Sequence, residues 1–152
     1  MFLLFLLVSQ SLSQQQDFNY NQKQQYCDRL KEVSKQHKGY PYVWGGETKQ
    51  EGGFDCSGFI YSVMKKMNKP LPRTTSKKYW LMIDSKKVSW NDAKCGYFIW
   101  WTFSIGRPYG HIGIHINQPY IWQSGSSTGP NKVKLFKKSY WVKYFVGSKE
   151  VK

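Results

Sequence analysis

The side chains best suited to nucleophilic and acid–base chemistry at neutral pH are three cysteines and three histidines. Cys56 stands out by its context. It follows Gly52-Gly53-Phe54-Asp55 and precedes Ser57-Gly58-Phe59. Phe59, Ile60, Val63, Met64 and Met67 then recur at helical spacing, so Cys56 opens an amphipathic helix. A thiol attacks as its thiolate, and the unpaired N–H groups and positive dipole end of a helix start stabilise that form. Ser57 and Gly58 are small and leave room for a substrate. A buried structural cysteine at a helix start is the plain alternative, and position alone does not choose between them.

The histidines sharpen the choice. His37 lies in a polar stretch before Gly39 and is expected on the solvated surface. His111 and His115 sit in His111-Ile112-Gly113-Ile114-His115-Ile116. Strict alternation predicts a strand with the isoleucines on the core face and the histidines on the other. His111 is then a candidate base that could look onto Cys56. A shared metal is not expected, because four residues of strand rise about 13 Å, too far for one ion. Asn117-Gln118-Pro119 reads as a hairpin turn. If Ile116 pairs with Tyr120, Gly113 lies opposite Gln123, which places the Gln123 amide beside His111. An amide oxygen there could accept the imidazole N–H and fix its tautomer. A solvent-facing Gln123 is the equally weighted alternative.

These residues need a helix and a sheet to position them. A helix is expected over Tyr26–Lys38, using Tyr26, Leu30 and Val33, with Gly39 and Pro41 stopping it. The Cys56 helix ends at Asn68-Lys69-Pro70, and a further short helical turn is expected before Trp80. The second half reads as strands at Tyr97–Phe103, His111–Ile116, Tyr120–Gln123, Lys132–Phe136 and Trp141–Val146. Helices first and an antiparallel sheet afterwards make an α+β domain. The aromatic content of 18% is too high for a disordered chain.

Phe2 to Val8 is an apolar run followed by small residues, which predicts a signal peptide over 1–13 and hence a secreted, extracellular protein. The run is too short to span a bilayer. Residues 14–25 are Gln-rich and read as a disordered polar leader, and 26–148 as the folded domain. In a secreted chain with three cysteines, a free Cys56 would leave Cys27 and Cys95 to pair. The net charge of +14 draws the protein toward polyanions. No nucleic-acid-binding signature accompanies the lysines, so nucleic acid is not the expected partner.

The pieces Tyr42-Val43-Trp44-Gly45-Gly46, Phe54-Asp55-Cys56-Ser57-Gly58-Phe59, Leu71-Pro72-Arg73-Thr74-Thr75-Ser76 and Gly110-His111-Ile112-Gly113-Ile114 occur in this order. Together they resemble the NlpC family of papain-like cell-wall cysteine peptidases, from about Cys27 to Val146. The resemblance implies a papain-like α+β fold, with the cysteine helix packed on an antiparallel sheet that carries the histidine. It implies Cys56 as nucleophile, His111 as general base and Gln123 at the third position. Tyr42 would line the reaction centre, and Asp55 and Ser57 would hold the free amine of a short stem peptide. The implied reaction is cleavage of a peptidoglycan stem peptide between D-glutamate and a diamino acid, with no metal or cofactor; separately, a monomer is expected. Two positions depart from the family pattern: Tyr97 follows Gly96 where Asp is usual, and His115 stands where an aromatic is common. The +14 charge is expected to attract anionic wall polymers in place of a targeting module. A CHAP-like amidase cutting another wall bond, and a non-catalytic cationic wall-binding or antimicrobial protein, remain the competing readings.

Overall fold

A computed structural model describes residues 2–135 and 140–152. The chain begins with α1 (Phe2–Lys35), followed by the short strands β1 (Glu47–Thr48) and β2 (Gly53–Phe54). Next come α2 (Cys56–Lys66) and α3 (Ser76–Met82). The second half supplies β3 (Phe98–Trp101), β4 (His111–Asn117), β5 (Tyr120–Gly125) and β6 (Gly129–Lys134). A single turn, α4 (Tyr140–Lys143), and β7 (Phe145–Lys149) complete it. β1 and β2 form a small hairpin; the other strands form one antiparallel sheet in the order β6-β5-β4-β3-β7.

Helix α2 forms where the apolar spacing requires it. Its Phe59, Ile60, Val63 and Met64 are buried against Ile112, Ile114 and Ile116 of β4, and Met67 closes the same face. That contact builds the main core. The strand alternation is also as expected, but the second face of the sheet is not open. Ile99, Trp101 and Ile121 pack there with Leu135, under Trp90, Phe103, Trp141, Tyr144 and Phe145. The aromatic residues foreseen as one strand over Trp141–Val146 divide instead. Trp141 lies on α4, where it covers Trp101, and only Phe145 onward enters the sheet. Of the strand expected over Lys132–Phe136, Phe136 lies outside the described residues.

Residues 14–25 are helical rather than disordered, because α1 runs through them without a break. No Gly or Pro interrupts residues 2–35, and Gln has a helix propensity close to the best. The core holds only the far end of this helix, through Leu30 and Val33. Gly39, with φ +93°, turns the chain after it. Cys27 of α1 is joined by a disulfide to Cys95, just ahead of β3, and Cys56 is free. The pairing left by a free Cys56 is thus the one formed.

His37 is buried, not solvated. Its Nδ1 lies 2.9 Å from the Val33 carbonyl and its Nε2 2.9 Å from Ser62 Oγ, with Phe54 and Phe59 edge-on to the ring. The polar neighbours in sequence disguised a residue that the turn after α1 carries against Phe54 of β2 and Phe59 and Ser62 of α2. His115 is buried too, with Nε2 3.0 Å from Ser148 Oγ of β7.

Two predictions follow from these contacts. Replacing Cys27 and Cys95 together by Ser is expected to lower unfolding free energy by about 2–4 kcal/mol. Urea melts of the double variant would test this, and an unchanged midpoint would refute it. Burial pushes the imidazoles of His37 and His115 down from 6.5 to about 4, and for His37 the charges of Lys66 and Lys49 add to it. The unfolded chain therefore binds protons that the folded chain refuses. The stability from each neutral ring is complete above pH 6.5 and is lost as pH falls toward 4, at about 1.4 kcal/mol per pH unit for each group within that window. Thermal midpoints should drop steadily between pH 7 and pH 4.5; a flat profile would show that these rings are not held neutral.

Candidate active site

The site grows from the start of α2. Asp55 is its N-cap: Oδ1 accepts from Gly58 N–H at 2.7 Å and from Ser57 Oγ at 3.1 Å. Its Oδ2 accepts from Gly45 N–H at 2.9 Å, and its own N–H donates to the Gly46 carbonyl at 3.0 Å. One carboxylate thereby fastens the Tyr42–Gly46 segment to the head of the helix. Gly58 is required here, since a β-carbon would collide with the Gly46 carbonyl oxygen. Arg73 closes the cluster from the third motif. Its guanidinium donates to Ser57 Oγ at 2.9 Å, to both Asp55 oxygens at 3.2 Å and to the Thr74 carbonyl at 2.8 Å, and it pairs with Glu47.

Cys56 follows the cap with its side chain turned toward β4. The thiol is only 7% exposed, and Sγ lies 3.9 Å from the carbonyl oxygen of Gly110, the residue before His111. Burial, reinforced by the Asp55 charge, pushes the thiol up to about 11, while the N–H groups of Ile112, Ser57 and Cys56 pull the other way. Tyr42 stands near enough to feel both the thiolate and Asp55. Its phenol is pushed up to about 12 by burial and then by those two charges, against the opposing pull of Arg107.

His111 begins β4 and is partly buried. Its Nε2 is 2.7 Å from Gln123 Oε1, and Gly113 is directly opposite Gln123 in the ladder. The expected pairing of Ile116 with Tyr120 is not formed, because a bulge between His115 and Asn117 passes that partner to Asn117. The slip occurs beyond the functional end, so it leaves Gln123 in place. The Gln123 amide N–H₂ donates to Asn131 Oδ1 from the facing position of β6. Asn131 fixes which way the amide points, so its oxygen faces the imidazole and the ring carries its proton on Nε2. Nδ1 is left with a lone pair. Trp101, Phe103 and Trp141 surround the ring at centroid distances of 5.6, 5.5 and 5.9 Å. Burial pushes His111 down to about 4, with the Gln123 bond opposing. At neutral pH the resting pair is thus an uncharged thiol and an uncharged imidazole.

The structure brings Cys56, the backbone bearing His111, Gln123 and Tyr42 together. The thiol's hydrogen bond goes to Gly110 and the imidazole's to Gln123; neither joins the two side chains to each other. Asp55 and Ser57 belong to the same cluster, but their polar atoms are bonded internally. Sequence reasoning missed Asn131 and the role of Arg73. The hairpin register through Gly125 and Gly129 could have found Asn131; nothing short of the tertiary contact identifies the partners of Arg73.

The sequence model of the NlpC/P60 family matches residues 39–150. The chain belongs to the NlpC/P60 family. Among relatives, it is 28% identical over 117 residues to the murein DD-endopeptidase MepH of Escherichia coli strain K12, covering 76% of this chain and 42% of that protein. It is 32% identical over 124 residues to the bifunctional muramidase/DL-endopeptidase CwlT of Bacillus subtilis strain 168, covering 81% of this chain and 36% of that protein. The chain therefore spans less than half the length of these relatives. Its fold is similar to that of a Staphylococcus aureus NLP/P60-family protein, with TM-score 0.68 and 24% identity, over 84% of this chain and 41% of that one. The NlpC/P60 fold is thus present here as the expected papain-like α+β arrangement, α2 on an antiparallel sheet.

Within this NlpC/P60 domain, Arg73 is the group that joins the Asp55 cap, Ser57 and Glu47. Arg73→Ala should cost about 2–3 kcal/mol of stability, because it strands a half-buried carboxylate cluster. Arg73→Lys should recover only part, since a point charge cannot bridge Ser57 and both Asp55 oxygens. Chemical denaturation of the two variants would measure this; a fully stable Arg73→Ala would refute it.

Proposed function

We propose that this protein is a secreted cysteine peptidase that degrades peptidoglycan, cutting stem peptides between D-glutamate and the diamino acid. One observation carries this reading. A free thiol at a capped helix start lies against the carbonyl of Gly110, the residue before His111, whose imidazole Nε2 is held by the Gln123 amide. That constellation suits acyl transfer without a cofactor. Membership of the NlpC/P60 family supports the substrate class, and the DL-endopeptidase named among its relatives supports the bond.

The reaction follows from the resting protonation states. Because the thiol and the imidazole are both neutral, the proton passes from Sγ to His111 Nδ1 during attack rather than before it. A carbon–sulfur bond forms at the scissile carbonyl, and helix-start N–H groups, that of Cys56 included, steady the oxyanion. His111 then gives the proton to the departing amine as the carbon–nitrogen bond breaks. Water, deprotonated by His111, releases the acyl group and restores the thiol. Gln123 and Asn131 position the ring throughout, and Tyr42, Asp55 and Ser57 line the substrate end of the site.

Secretion is part of the proposal, with cleavage after Ser13. Its support is the apolar run at Phe2–Val8, whose Leu6, Leu7 and Val8 are more than half exposed and unused by the core. Among the described residues no helix is long and apolar enough to cross a membrane. The net charge of +14 would then serve attraction to anionic wall polymers.

Digestion of purified peptidoglycan with fragment weighing tests the reading. Wild type should leave N-acetylmuramoyl-L-alanine-D-glutamate ends, and Cys56→Ala should lose more than about 10³-fold in rate. Release of whole stem peptides would establish an amidase instead, and lysis fully retained by Cys56→Ala would show that charge acts rather than catalysis.

A further inference from the structure

The loop between β3 and β4 carries an arginine that the reaction described above does not use. Arg107 is exposed, and its guanidinium lies over the indole of Trp44, 5.6 Å from the ring centroid. Trp44 is itself 76% exposed, unusual for so large an apolar ring. The two residues come from opposite walls of the site. Trp44 belongs to the segment that Gly45 and Gly46 fasten to Asp55. Arg107 belongs to the loop whose Gly110 carbonyl meets the Cys56 thiol. A β-carbon built on Gly110 would lie 2.8 Å from the Arg107 carbonyl oxygen and 3.1 Å from Arg107 Cβ, so the arginine packs directly on the residue touching Sγ.

The loop is held, not loose. Tyr109 has φ +56°, a left-handed conformation that bulky residues seldom adopt. Its ring stacks on Trp80 at 4.7 Å and 17°, and its N–H donates to Thr102 Oγ1 at 2.9 Å. Arg107 N–H closes the turn onto the Ser104 carbonyl at 3.0 Å. Strain maintained beside a reactive thiol points to a geometry that matters there.

The contrast with Arg73 gives the charge logic. Arg73 is neutralised by Asp55 and Glu47. Among the described residues no carboxylate pairs with Arg107. A guanidinium on the loop that meets the thiol, resting on the Trp44 face, close enough to Tyr42 to act on its phenol, and with no carboxylate partner among the described residues, suits a carboxylate brought by a ligand. D-Glutamate linked through its γ-carbonyl keeps its α-carboxylate free, a few bonds from the atom the thiol would attack. An α-amidated residue at the same place has no charge to offer.

We propose that Arg107, seated on Trp44, is a specificity-determining residue that binds a free carboxylate beside the cleaved bond and selects acidic over amidated stem peptides. This rests on the peptidase reading above. The test uses two synthetic peptides, L-Ala-γ-D-Glu-diamino acid with the D-glutamate α-carboxyl either free or as the carboxamide. Wild type should favour the free acid in kcat/KM by about ten- to a hundredfold. Arg107→Ala should bring that ratio close to one, and Arg107→Lys should keep part of it. Added salt should shrink the wild-type ratio. Thermal midpoints of the variants separate lost recognition from lost fold, and Arg107→Gln offers a second uncharged variant of similar length. If wild type cleaves both peptides equally, or the ratio survives in Arg107→Ala or Arg107→Gln, the assignment of Arg107 is overturned while the peptidase reading stands. If wild type cleaves neither peptide, the peptidase reading itself fails and takes this assignment with it.

Discussion

The Asp55 carboxylate is the contact on which the site's geometry depends. It caps α2, accepts from the Gly45 backbone and shares its charge with Arg73. Three chain segments distant in sequence thus meet at one side chain. A cap bond alone is worth about 1 kcal/mol, but this one also sets where Cys56 begins the helix. It therefore decides which N–H groups face the place where an oxyanion would develop. The same negative charge works against the thiolate, which burial already disfavours. The arrangement holds position at the expense of resting reactivity.

The His111 imidazole is governed by a different set of forces. His111 is enclosed by the rings of Trp101, Phe103 and Trp141, and the carbonyl of the preceding Gly110 meets the thiol. Enclosure keeps it uncharged, and the chain from His111 through Gln123 to Asn131 keeps one nitrogen committed and the other free. The three residues sit on β4, β5 and β6, so the sheet register itself delivers the relay. The bulge between His115 and Asn117 shows how narrow this is: a slip of one residue at the turn is absorbed before it reaches Gly113.

Charge in this protein works at two ranges. The net +14 is diffuse and acts over a Debye length or so, with a sign but no address. At short range, two arginines differ by their partners. Arg73 is locked into structure by two carboxylates, and Arg107 stands on an indole facing solvent. Buried His37 and His115 add a third electrostatic feature that serves the fold, tying it to neutral pH.

Much of this was legible in the sequence because it rests on local periodicity. The apolar spacing after Cys56 specifies a helix with the thiol at its head, and the Ile112-Ile114-Ile116 alternation specifies a strand with His111 at its start. Gln123 lies opposite Gly113 as expected, but the turn pairs Asn117 with Tyr120 and the bulge between His115 and Asn117 restores that register. Three cysteines with one reactive left a single pairing, and it is formed. Other features were decided only by the tertiary structure. His37 sits among polar neighbours, and its burial depends on a hairpin closing over it. The second sheet face is dry only because α4 and the Phe103 loop bring rings across it. Gln-rich residues carry no apolar face, so whether α1 continues through them was not in their pattern. Asp55's partners Gly45 and Arg73 lie 10 and 18 residues away in sequence, and Gly110, the partner of the thiol, 54. Periodicity fixes which face of an element is apolar; only the packed chain decides which polar groups meet across it.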